Sequence, residues 1–99
     1  MNVRKAVSGN RMELVLEGKF DAATAPKFEA EIAGQLEGIT DLTIDIGAIE
    51  YISSAGLRSL LFLRQTLDEA HGSMTVRNVP EIVKSIFEVT GFYEFIKVE

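Results

Sequence analysis

The sequence predicts an α/β fold: an open mixed β-sheet in the order β-β-α-β-α-β-α-β, with the helices packed mainly on one face. Three observations carry this prediction. Residues 11–17 and 41–46 alternate apolar and polar side chains at the period of a half-buried strand. Residues 24–37, 55–70 and 80–90 repeat apolar side chains at helical spacing. After an initial hairpin, strands alternate with helices, which is the pattern of a parallel sheet joined by right-handed crossovers.

Each element has its own signature. Residues 2–8 read as a weak strand, ended by the hairpin signal Ser8-Gly9-Asn10. In residues 11–17, Met12, Leu14 and Leu16 face one way and Glu13 and Glu17 the other. Gly18 closes that strand, and Phe20 is expected to fold back onto the core. In the first helix, Phe28, Ile32 and Leu36 recur four apart, with Asp21 or Thr24 as N-cap and Gly38 after the last turn. Leu42, Ile44 and Ile46 point inward from the next strand, and Gly47 to Ser53 reads as a connection. The strongest helix follows. Leu57, Leu60, Leu61, Arg64 and Leu67 mark its stripe, Phe62 and Leu63 widen it, and His71-Gly72 stops it. Residues 73–77 form a short strand. Pro80 to Thr90 form a third helix, with Gly91 placed for a left-handed cap. Phe92 to Val98 read as a last strand. Both prolines, Pro26 and Pro80, stand where a helix begins and a missing N–H costs least.

Composition narrows the function. Ninety-nine residues fit a single domain, 1–99, which buries roughly 65% of its unfolded surface. Ten basic residues against fifteen acidic give a net charge of −5, which argues against non-specific binding to nucleic acid or anionic lipid. Without cysteine there is no disulfide, thiolate metal site or thiol nucleophile. His71 is the single histidine, so no histidine cluster can hold a metal. No apolar run is long enough to span a membrane, and no apolar segment follows the basic start Met1-Asn2-Val3-Arg4-Lys5 as in a signal peptide. A cytoplasmic protein without membrane contact is expected.

The segment with chemical potential is Glu50-Tyr51-Ile52-Ser53-Ser54-Ala55-Gly56-Leu57-Arg58, which opens the best helix. A helix start presents unpaired N–H groups and a partial positive charge, where anions are favoured. A serine there is either a simple cap or an exposed site for a ligand or modification. Gly56 is expected to let another molecule approach the backbone. Enzyme readings fit poorly. Ile52 stands where a nucleophile elbow needs its first glycine, and His71 lies a whole helix away. No phosphate-cradling G-x-x-x-x-G-K-[ST] run is present. Asp41 and Asp45 share a strand face about 13 Å apart, too far to work on one bond. Asp21 and Asp45 could meet at strand ends around a hard cation, but scattered surface acids are the simpler reading. Phe92, Tyr93 and Phe95 belong either to the core or to a contact patch, which leaves a homodimer open.

The run Leu42-Thr43-Ile44-Asp45-Ile46 followed by Ile49 to Leu57 resembles the signature of STAS domains, and in particular the stand-alone bacterial anti-sigma factor antagonists. Leu16 to Pro26 is similar to that family's passage from strand to first helix, and Val79 to Phe92 to its third-helix pattern. The resemblance thus spans nearly the whole chain. It implies a non-enzymatic switch without a cofactor of its own. The unphosphorylated domain binds a serine-kinase anti-sigma factor and releases the sigma factor; the kinase phosphorylates a serine at the start of the second helix; a phosphatase resets it. The acceptor by the family pattern is the serine two places before the glycine, here Ser54, with Ser53 as the alternative. Ser53 stands where a common form of the motif has an acid, and Ala55 where it has a hydroxyl residue. Ser53, Ala55 and Gly56 are the expected partner contacts, with Asp21 and Thr24 as neighbours. Two other readings remain: a STAS adaptor in a transporter or stress-signalling complex that is never phosphorylated, and a phosphoacceptor receiver domain. The second lacks the required acidic pair after Gly18.

Overall fold

The computed structural model describes residues 1–99. Its elements are β1 (Asn2–Ser8), β2 (Arg11–Phe20), α1 (Ala25–Ala33), β3 (Asp41–Ile52), α2 (Ser54–Glu69), β4 (Ser73–Arg77), α3 (Glu81–Thr90), a 3-10 turn (Phe92–Glu94) and β5 (Lys97–Val98). The five strands lie in the order β1-β2-β3-β4-β5. β1 and β2 form an antiparallel hairpin, and every later pair is parallel. Each parallel strand is added beside the one before it, always in the same direction. Right-handed crossovers therefore carry all three helices to one face of the sheet.

Alternation decides which side chains reach those helices. Met12, Leu14 and Leu16 of β2, Leu42, Ile44 and Ile46 of β3, and Met74 and Val76 of β4 are buried. They pack with Phe28 and Ile32 of α1, with Leu57, Leu60, Leu63 and Leu67 of α2, and with Val83 and Phe87 of α3. The opposite face carries polar side chains instead. There Arg4 pairs with Glu17 and Arg77 with Glu13.

Four sequence expectations are corrected. Gly47 to Ile52 is not a connection but the second half of β3, which continues to pair with β2. Two register shifts each place an extra β3 residue against β2, so the inward positions move from Ile46 to Ile49 to Ile52. The period of two is lost there, and with it the strand signal. α1 ends at Ala33 with Gly34 as C-cap, and Leu36 reaches the core from the turn beyond it. Phe92 to Val98 opens with a 3-10 turn over Phe92–Glu94, and only Lys97 and Val98 pair to β4. Phe92 is buried against Phe87, so it belongs to the core, whereas Tyr93 and Phe95 are exposed. On α2, Phe62 lies outside the buried stripe and is exposed.

Candidate functional site

The carboxyl ends of β2 and β3 lie side by side, and α2 begins there. The Ser53 N–H donates to the Phe20 carbonyl at 2.9 Å, which fixes the end of β3 against the end of β2. Ser53 has extended backbone and is the N-cap: its hydroxyl accepts the Ala55 N–H at 3.2 Å. Ser54 is the first helical residue and is exposed. The two serines are thus distinguished by position, one half-buried and bonded to the backbone, the other facing solvent.

Gly56 is corrected in its role. It is buried, and a Cβ there would lie 2.6 Å from the Phe20 carbonyl oxygen and 2.7 Å from Ile52 Cγ1. The missing side chain makes room for this chain's own β2 end, not for another molecule.

The turn between β2 and α1 is held by its own polar groups. The Asp21 carboxylate accepts the N–H groups of Ala23 at 3.0 Å and Thr24 at 3.1 Å. The Thr24 hydroxyl donates to the Lys19 carbonyl at 2.8 Å and accepts the Asp21 N–H at 3.0 Å. Of the two residues expected to cap α1, Thr24 occupies the N-cap position, with helical backbone and no side-chain cap bond. Desolvation pushes the Asp21 carboxyl pKa up, but the bonds from Ala23 and Thr24 outweigh it, with help from the charge of Lys19, and hold it below its ordinary value.

The openings of α1 and α2 enclose a shallow depression of about 360 Å³, lined by Ala22, Ala25, Pro26, Glu29, Ala55 and Arg58. The Ser59 hydroxyl, fully buried, donates to Glu29 Oε1 at 2.6 Å and ties the two helices beneath it. Asp21 and Thr24 therefore belong to a turn that borders the same edge as Ser53, Ser54 and Ala55. Sequence reasoning missed Glu29 and Ser59. The available signal was a serine set among the leucines of α2, a polar group that must find a partner when buried.

Other candidates are dispersed. His71 lies at the far end of α2, roughly 25 Å along the helix axis from Ser54. Asp45 accepts the Gly47 N–H at 2.9 Å and the Asn78 side-chain amide at 2.8 Å, and Asp41 pairs with Arg11 at 3.2 Å. No group of three or more His, Asp or Glu side chains is placed to hold a metal ion. No helix is long and apolar enough to cross a membrane.

Comparison with known proteins gives this edge its context. The family model described as "Mlab, STAS domain" matches residues 3–98. A putative anti-sigma factor antagonist of Bordetella bronchiseptica, BtrV, is 34% identical over 84 residues, covering 84% of this chain and 72% of the relative. Among solved structures, a putative anti-sigma factor antagonist of Thermotoga maritima shares the fold with a TM-score of 0.89 at 13% identity, over 97% of this chain and 84% of that one. The anti-sigma factor antagonist SpoIIAA in its unphosphorylated form does so with a TM-score of 0.78 at 14% identity, over 99% and 87%. SpoIIAA in its phosphorylated form matches with 0.76 at 15%, over 99% and 91%. With a family model matching residues 3–98 and a relative 34% identical over most of both chains, the chain belongs to the STAS-domain family, among the anti-sigma factor antagonists.

Proposed function

We propose that residues 1–99 act as one cytoplasmic unit, a phosphorylation-controlled partner switch that performs no reaction itself. Unphosphorylated, the chain binds a serine-kinase anti-sigma factor through Ser53, Ala55 and the Asp21–Thr24 turn, and the sigma factor is released. The kinase then modifies Ser54 and the complex dissociates, until a phosphatase restores the serine. In the transfer, Ser54 Oγ bonds the γ-phosphorus of ATP and the bond from that phosphorus to its bridging oxygen breaks. ADP leaves, and the hydroxyl proton passes to the kinase's base.

The observation that carries this reading is the exposure of Ser54 at the first position of α2, beside a cap that Ser53 already supplies. A phosphate adds about −1.5 to −2 charge at pH 7. At a helix start the host tolerates that charge, because the dipole and free N–H groups favour it. The penalty falls on the complex, where a buried unpaired charge costs about 2–5 kcal/mol. A loss of about 2.8 kcal/mol is a hundredfold in affinity.

The test begins with co-purification from the native cell and intact-mass measurement after incubation with the recovered kinase and ATP. Addition of one phosphoryl group to the parent, and none to Ser54→Ala, is expected. Ser54→Ala should bind the partner as the parent does, and Ser54→Asp about a hundredfold more weakly. Equal binding by both variants would overturn the switch and leave the adaptor reading.

A further inference from the structure

Arg58 differs from every other arginine in the chain. There are five. Arg4 pairs with Glu17 at 2.7 Å, Arg11 with Asp41 at 3.2 Å, Arg64 with Asp68 at 3.6 Å and Arg77 with Glu13 at 3.9 Å. Arg58 has no carboxylate within 4.0 Å, although the chain carries fifteen acids. The acid that shares its depression, Glu29, is engaged with Ser59. Small side chains surround Arg58 there: Ala22, Ala25, Pro26 and Ala55.

Its position supplies the second half of the inference. Arg58 is exposed on α2, four residues after Ser54. Residues at that spacing are neighbours on one helix face, with Cβ atoms about 6 Å apart. The anion preceding the cation is also the favourable order. Ala55, Gly56 and the buried Leu57 place no long exposed side chain between them. A phosphoserine at 54 would offer three acceptor oxygens to a guanidinium fork whose parallel N–H donors match them.

We infer that Arg58 is the residue that answers modification of Ser54: uncommitted while the serine is bare, it closes on the phosphoryl group within the same helix face. This rests on Ser54 being the modified residue. The consequence is a double change at the contact edge. A free guanidinium of charge +1 is withdrawn, and the pair that replaces it carries about −0.5 to −1. An acidic group of the partner that had met a cation then meets an anion, with no change of fold.

The test needs no kinase. Phosphoserine is installed at position 54 by semisynthesis, and its second ionisation is followed by phosphorus NMR against pH. A nearby cation favours the dianion and lowers the midpoint. The midpoint should rise by about half a unit, or threefold in the protonation equilibrium, in Arg58→Gln. Arg58→Lys should retain part of the effect. Arg64→Gln, which removes a paired arginine from the same helix, should leave the midpoint where it was. Equal midpoints in the parent and Arg58→Gln overturn the pairing, as does an equal shift in Arg64→Gln. Failure of a kinase to modify Ser54 would appear separately, in the intact-mass experiment, and would leave this titration unaffected.

Discussion

The two ends of α2 share one packing device but differ in what they leave available. At each end a glycine sits where a side chain would strike backbone. At Gly56 the obstruction is the Phe20 carbonyl, 2.6 Å from a Cβ; at Gly72 it is the Thr40 carbonyl, at 2.5 Å. At the C-terminal end the polar groups close on each other. The Gly72 N–H reaches the Leu67 carbonyl at 2.7 Å, and the His71 N–H reaches that of Asp68 at 3.0 Å. His71 itself takes the left-handed conformation, with φ of 57°, so Gly72 is free to serve the close approach. The Ser73 N–H then donates to Thr40 at 2.8 Å. At the N-terminal end only Ser53 is committed in this way, and Ser54 and Arg58 stay exposed. Close packing therefore holds both ends in place, while exposed polar groups without a partner are left at the N-terminal end, where the proposed switch would act.

The largest break in this parallel comes from the glycines. Gly56→Ala and Gly72→Ala should each cost about 2–3 kcal/mol in urea unfolding, because the added methyl meets backbone that cannot rotate away. The two should separate in binding. Per folded molecule, Gly72→Ala should hold the anti-sigma partner as the parent does and Gly56→Ala should hold it less well. Equal partner affinity in the two variants would erase the functional difference between the ends. Next in size, Ser53→Ala should cost about 1 kcal/mol through loss of its cap.

Acid titration sharpens the same contrast at the neighbouring turn. The folded-state pKa of Asp21 lies below its ordinary value of 3.8. Its stabilising contribution is therefore complete above that value and is lost as the pH falls through the lowered one. Asp21→Asn should be less stable than the parent at neutral pH, and the gap should close as both are acidified below pH 3.8 in acid-unfolding curves. Last, Ser54→Ala should change stability by less than about 0.5 kcal/mol, since an exposed side chain at the first helical position supports nothing else. The smallest effect on folding thus belongs to the residue with the largest expected effect on the proposed switch.

Much of the frame is legible in the residues. β4 occupies Ser73–Arg77 as its alternation predicts, Gly91 adopts the left-handed cap with φ of 71°, and α2 opens at Ser54, one residue from the expected start. The second half of β3 is not legible. There the inward residues Ile46, Ile49 and Ile52 are three apart, and only pairing with β2 makes that spacing a bulged strand. α1 stops early because Leu36 buries itself equally well from a turn. Phe92 could not be assigned to core or surface until Phe87 was placed 4.9 Å away from it.

Local order alone determined where helices open, which faces are apolar and that two serines stand at the start of α2, since torsional preference and periodicity act over a few neighbouring residues. The folded chain decided which groups are spent and which remain. Phe20 reaches Ser53 and Gly56 from another strand, Glu29 takes Ser59 from another helix, and no acid reaches Arg58. A hydrogen bond or ion pair is made only within about 3–4 Å, and that distance is set by residues remote in sequence.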